Sequence, residues 1–498
     1  MIFLRLLFLT CILNFFISSP VTLSRASDIS KNFFESRNET SFSVRDVQII
    51  EDQGYNLLYI FILDPTGFVI VSGNDSAMPI LGYSFENDYR QDGLPIQLEF
   101  LYDQYRSDIN AMFLEDSPQL PEIREKWNLY SNPFEYQVSR SVSPLLSCNW
   151  DQGSPWNDMC PEDSDGPGGN VLVGCVAVSM AQVMYYWGYP EIGSGNHSYN
   201  HWEYGYQSAD FGDAFYDYDN MADNYGTDAT ALLLYHAGVS VNMGYGVDGS
   251  GAGVFGSNPS TYYAMRNYFL FKNTMGQIFP EDYSASVYRS LLQEDLDNNK
   301  PIIYVGYSDD GGHAWNIDGY QDDYFHNNWG WGGYQNGYFL LSALNGFNSS
   351  QGAIINIEPQ SLDVPNLVMT SDTVYEVSGD GDGVINPGET VGIEITVENF
   401  MPWEDAQDIV LILEPNSTNL TLSNEEVFIG QLNSGSSYSN QNNPFMVTIP
   451  SDNELGSETL TLHVSASGPN GQDFYDYFNV SLNISLNQAG FPIDSDGT

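Results

Sequence analysis

The pattern of apolar and polar positions divides the chain into stretches of different texture. Residues 6–17 form an apolar run behind Arg5, and the small residues Ser24 and Ala26 follow it. A charged start, a short apolar core and small residues before a cut are the marks of a secretory signal. They predict a leader over residues 1–26. The run is short for a bilayer span of about 20 residues. No later stretch is apolar for longer, so a soluble, exported protein is expected.

Residues 28–130 read as a small α+β unit. NLLYIFILD and GFVIVSGN are strand-like runs joined by the turn DPTG. Residues 98–116 have helical spacing, with Phe100, Leu101, Tyr105, Ile109 and Met112 on one face. Residues 131–142 carry no period and read as a linker, with a cut expected near Arg140. Beyond them, helices are expected over residues 175–187, 228–237, 261–271 and 283–298, the last with Val287, Leu291 and Leu292 on its apolar side. After Lys300 come the short strand runs PIIYVGYS, HAWNIDGY, DYFHNNW and GYFLLSAL. Helices followed by antiparallel strands indicate an α+β domain. After Gln360 segments such as TVGIEITVENF and ETLTLHVSAS alternate between turns, the pattern of a β-sandwich. The expected organisation is a leader (1–26), a small α+β unit (27–142), a larger α+β domain (143–359) and a C-terminal β-sandwich (360–490).

Charge narrows the function. Lys and Arg total 14 against 65 Asp and Glu, a net charge of −51. Nucleic-acid binding needs a basic face, and so does a polybasic membrane contact. Neither is expected. Aromatic residues make up 14 %, far from the composition of an acidic disordered tail.

Of the 4 cysteines, Cys11 lies in the leader. An odd number remains, which in an exported protein suggests one pair and one free thiol. Cys148 and Cys160 flank CNWDQGSPWNDMC and are expected to be bonded. Cys175 is then free. It follows Gly168, Gly169 and Gly174 and opens a helix stopped by Gly188 and Pro190. The positive end of a helix stabilises an anion and lowers a thiol pKa. The alternative is a buried cysteine that packs as a small hydrophobe.

His313 follows Cys175 by 138 residues and Asn328 follows it by 153. Papain-type enzymes place His and Asn roughly 130–150 residues after the nucleophile. Asn328 can accept from one imidazole nitrogen and fix the tautomer, with Trp329 shielding that bond. Gln152 can aim its NH₂ at a developing oxyanion, with the Cys175 N–H as second donor. His326, in YFHNNWGWGG, is the rival base. His197, His201, His236 and His463 lie in other settings.

The blocks WDQGSPWN, GCVAVSMAQVMYYWGYP, GGHAWNIDGY and HNNWGWGGYQNGYF, in this order, resemble the streptopain family of papain-like cysteine peptidases. GFVIVSGNDSAMPILGYS resembles that family's inhibitory propeptide. The resemblance covers residues 28–359. It implies a papain-like two-lobed domain and a secreted zymogen whose propeptide blocks the cleft until it is cut away. It implies protein or peptide substrates, an apolar side chain at the second position before the scissile bond, and no cofactor for catalysis. Carried over by position, Cys175 is the nucleophile, His313 the general base and Gln152 part of the oxyanion hole. Asn328 or Trp329 orients and shields the histidine.

The resemblance does not reach the sandwich. There SGDGDGVINPGE crowds Asp380, Asp382, Asn386 and Glu389 around glycine turns, as a calcium loop would. A solvated acidic turn is the alternative. Rival functions are a secreted binding or adhesion protein on an inactive peptidase scaffold, and a transglutaminase or amidase using the same dyad.

Overall fold

The computed structural model describes residues 19–37, 42–89, 94–133, 139–308, 311–343, 351–360, 364–399, 403–417 and 419–485. The apolar run of the expected leader lies outside the described residues. The chain forms two compact units, Met1–Glu358 and Pro359–Thr498.

The first unit opens with helix α1 (Leu23–Arg37) and an antiparallel meander, β1 (Ser43–Asp52), β2 (Tyr55–Asp64), β3 (Phe68–Ser72) and β4 (Ile80–Ser84). Strands β3 and β4 are buried along their whole length, as their continuous apolar runs require. Residues 19–26 belong to this unit and not to a leader ending at Ala26. Val21 donates its N–H to Gly73 O at 2.8 Å, and Ala26 is buried with Ile29 and Phe33. Those three share one face of α1, a helical stripe that overlaps the small-residue pattern read as a cleavage site. Helices α2 (Ile96–Leu114) and α3 (Pro121–Tyr130) follow. On α2 the expected stripe Phe100, Leu101, Tyr105, Ile109 and Met112 is buried.

The remainder of this unit comprises β5 (Ser141–Val142), α4 (Cys175–Trp187), β6 (Asn196–His201), β7 (Gly205–Asp210), α5 (Asp228–Ser240), α6 (Thr261–Asn267), β8 (Gly276–Ile278) and α7 (Ala285–Asp297). Then come β9 (Ile302–Ser308), β10 (Gly311–Gln321), β11 (Tyr324–Asn328), β12 (Gly337–Phe339) and β13 (Gln351–Ile355). One sheet runs β1-β2-β3-β4-β12-β11-β10-β9-β13-β8, with β5 beside β10. The junction is β4 on β12, with Tyr83 opposite Tyr338 and Gly82 opposite Phe339. The amino-terminal meander therefore extends the sheet of the domain that follows it.

Two local expectations shift. The buried face of α7 is Tyr288, Leu292 and Leu296, while Val287 is exposed. Tyr288 is buried near Tyr304, and Leu291 packs half-buried against the same core. The expected linker is also shorter at its C-terminal end. Ser141–Val142 pairs with β10, and Arg140 bonds Gln293 and Asp297 of α7.

The second unit is the expected sandwich. One sheet is β14 (Leu367–Ser378), β15 (Thr390–Asn399), β20 (Phe445–Thr448) and β17 (Thr421–Asn424), with β19 (Ser436–Ser439) beside β15. The other is β18 (Glu426–Leu432), β16 (Ala406–Pro415), β21 (Gly456–Ser467) and β22 (Asp473–Ile484). Inward residues such as Ile393, Ile395, Leu411, Leu462 and Val464 form its core.

Candidate active site

Helix α4 is buried on all sides from Cys175 to Met184. It runs through the domain centre, and its first residue opens onto a cleft. Gly174 precedes it at φ +95°, and a Cβ there would stand 2.8 Å from Met243 Sδ and 3.0 Å from Ser250 O. Both the left-handed backbone and the tight approach of the 248–254 loop require glycine.

A cavity of about 660 Å³ surrounds the thiol. Cys175, Gln152, His313, Ala314, Trp331 and the 248–254 loop line it, together with Leu94 just before α2 and Ile96 and Glu99 on α2. Sγ of Cys175 accepts the Ala314 N–H at 3.5 Å. His313 is half-buried, next to Ala314 on β10. Gln152 is buried, and its Nε2 has no hydrogen-bond partner among the described residues. Its loop is held by Asp151, whose Oδ1 accepts the N–H of Gln152 and Gly153. Gln152 O accepts from the Val173 N–H, close before Cys175. A buried donor left unpaired beside a thiol is positioned for a negative oxygen.

The thiol pKa lies above the ordinary thiol range, opposite to the helix-terminus expectation. Burial is the dominant cause. The N–H groups of Ala314, Val176 and Cys175 itself oppose it and do not win. Buried in this way, Cys175 rests as a thiol at neutral pH.

Asn328 and Trp329 are tied into the peptidase core. Asn328 Oδ1 accepts from Gln182 Nε2 and the Gly330 N–H, each at 3.2 Å, and its Nδ2 donates to Cys148 O at 2.9 Å. Asn316 donates to Gln182 Oε1 at 2.8 Å. These amides fasten α4 to β10 and β11. Trp329 is fully buried against Trp315 and Phe339 and donates to Gln335 O. The tryptophan in the cleft is Trp331, which the sequence reading passed over. The rival base His326 is buried, with Nδ1 2.6 Å from Asp318 Oδ1, and does not line the cleft.

The expected Cys148–Cys160 disulfide is absent, and both thiols are free and buried. Their surroundings differ. Cys148 lies near Asp223 and Asp318, which add to burial in pushing its thiol well up. Cys160 bonds Tyr245, and burial holds it at about 12.

In the C-terminal unit, Glu376, Asp380 and Asp382 bring carboxylate oxygens within 4.8 Å of one another. The Glu389 carboxylate accepts the N–H groups of Asp380 and Asn386, and Asn386 Nδ2 donates to Val384 O. Glu376, outside the quoted loop, accepts the N–H groups of Gly381 and Gly383.

Residues 150–339 match the Peptidase C10 family, and residues 18–109 match the Spi protease inhibitor family. The chain is 27% identical to the thiol protease/hemagglutinin PrtT of Porphyromonas gingivalis over 448 residues, 81% of this chain and 49% of that protein. It thus spans about half the length of PrtT. It is 27% identical to streptopain of Streptococcus pyogenes over 409 residues, 72% of this chain and 98% of streptopain. A prointerpain A fragment of Prevotella intermedia superposes with TM-score 0.52 at 28% identity, covering 64% of this chain and 100% of the fragment.

Proposed function

The chain belongs to the Peptidase C10 family, the streptopain family of cysteine peptidases, and on that premise we propose that it is an exported zymogen that hydrolyses peptide bonds through Cys175 and His313. One observation carries the reading: thiol, imidazole and the unpartnered Gln152 amide line one cleft that the propeptide covers. In the matured enzyme His313 takes the thiol proton, and the thiolate attacks the scissile carbonyl. Gln152 Nε2 and the Cys175 N–H receive the oxyanion. The imidazolium then protonates the leaving amine, and water releases the acyl group with the imidazole as base. Asn328 supports this at one remove by holding α4 on the sheet.

The maturation cut falls N-terminal to Ser139. From there the chain is bonded into the peptidase: Ser139 to Asp322, Leu145 to Asp318 O and Leu146 to Asp318 Oδ2. The leader cut falls N-terminal to Ser19, because residues 19–26 are built into the propeptide. Among the described residues no helix is long and apolar enough to cross a membrane. Glu376, Asp380 and Asp382 are the proposed calcium ligands of the sandwich. Catalysis itself needs no cofactor.

Cleavage of a fluorogenic peptide by the trimmed enzyme, with and without alkylation of Cys175, tests the activity. Cys175→Ala should lower turnover by about a thousandfold or more, as loss of a covalent nucleophile does. Residual turnover near wild type would refute it.

A further inference from the structure

Gln97 sits in the first turn of α2 with its side chain fully buried. Its carboxamide is held at both ends. Nε2 donates to Ala314 O at 3.0 Å, and Oε1 accepts from Trp331 Nε1 at 2.8 Å. Both partners line the cleft, and the N–H of the same Ala314 points at Cys175 Sγ. Strand β11 pairs with β10 only from Asn316 onward, so Ala314 O lies on an open edge. When the propeptide leaves, an acceptor and a donor spaced for one carboxamide are exposed next to the nucleophile. Such groups lose free energy if whatever covers them leaves them unpaired.

We propose that Ala314 O and Trp331 Nε1 form a subsite that reads a side-chain carboxamide, glutamine or asparagine, of the substrate beside the scissile bond. The proposal rests on the peptidase reading of the cleft. A carboxamide carries its donor and acceptor on one carbon and answers both groups from one edge, as Gln97 does. A trans peptide group turns its N–H and C=O to opposite sides and cannot bridge the pair alone. Glutamate brings a second acceptor towards Ala314 O, and leucine pairs with neither group.

The test uses enzyme matured from the full chain and a peptide series identical except for Gln, Glu or Leu at each position flanking the cut. At one position the Gln peptide should exceed both analogues by about tenfold or more in kcat/KM, since a site built to hydrogen-bond rejects partners that cannot. Trp331→Phe keeps a ring but removes the donor, and should bring the Gln-to-Leu ratio close to one. In the intact precursor, Gln97→Glu should speed alkylation of Cys175, because it sets oxygen against Ala314 O. A wild-type enzyme that cleaves the series without preferring Gln overturns the subsite and leaves the peptidase reading standing. An equal loss on every peptide in Trp331→Phe means the pair reads main chain and also overturns it. An enzyme that cleaves none of the peptides fails the underlying reading, and the subsite with it.

Discussion

The ring of Phe100, on α2, occupies the space where a side chain on Gly306 of β9 would stand. Gly306 is the cross-strand partner of His313. Directly paired residues face the same side of a sheet, so the propeptide ring is seated on the face that carries His313. Trp315, 6.3 Å from Phe100 between ring centroids, extends the contact. The inhibitory segment thus docks by shape on a bare patch of the peptidase as well as through Gln97.

Phe100→Ala should loosen that docking. Removing a buried phenylalanine costs about 3–5 kcal/mol, shared between propeptide folding and docking. Alkylation of Cys175 in the intact precursor should accelerate about tenfold or more, read by mass spectrometry. An unchanged rate in a folded variant would show that the ring is no anchor.

The precursor and the trimmed enzyme should differ in the pH dependence of that alkylation. Burial raises the Cys175 pKa in the covered cleft. A raised thiol pKa leaves less thiolate at any given pH, so the precursor should react slowly at pH 7. Its rate should climb only above the ordinary thiol value of about 8.5. Trimming removes the covering groups, and the reactive limb should move to neutral pH. His313→Ala should abolish the neutral limb and His326→Ala should keep it. The opposite outcome would transfer the base role to His326.

Cys148, Cys160 and Cys175 should all be alkylated after unfolding without reductant. Peptide mapping distinguishes this from the bonded pair that cysteine counting suggests. Recovery of a Cys148–Cys160 cross-linked peptide would contradict the structure.

Asp295 should make the precursor less stable towards neutral pH. Burial raises its pKa from the ordinary 3.8 to about 6, against the Asn356 N–H and Lys300, which pull it down. A carboxyl whose folded pKa is raised contributes stability below its unfolded pKa and loses it as pH rises through the folded value. The loss therefore runs from about pH 4 to about pH 6. Asp295→Asn, which can still accept from Asn356, should raise the melting temperature at pH 8 relative to wild type. The gain should shrink at pH 4.5. An equal gain at both pH values would exclude titration as the cause.

Calcium at millimolar concentration should raise the melting temperature of the sandwich, since a ligand that binds only the folded state stabilises it. Chelator should reverse the shift. Glu376→Gln should abolish it, whereas a purely solvated acidic turn predicts no shift in either protein.

Local pattern carried much of this protein. Helix α4 spans residues 175–187 as read, because Gly174 and Gly188 bound an apolar run. The sandwich strands alternate as written, because each pleat shows one face to a core. Cys175, His313 and Gln152, singled out by the order of their blocks, line one cavity.

The remainder depends on neighbours distant in sequence. Which tryptophan enters the cleft is decided by the turn at Gly330, Gly332 and Gly333, all at positive φ. That turn sends Trp329 into the core and leaves Trp331 at the site, although both stand in the same motif. Asn328 was a sound candidate by spacing, but its acceptor is filled by Gln182 from α4 and by Gly330. The thiol pKa rises where a helix N-terminus alone would lower it, because segments distant in sequence bury Cys175. Desolvation is a property of what covers a group, and no local run of sequence encodes it.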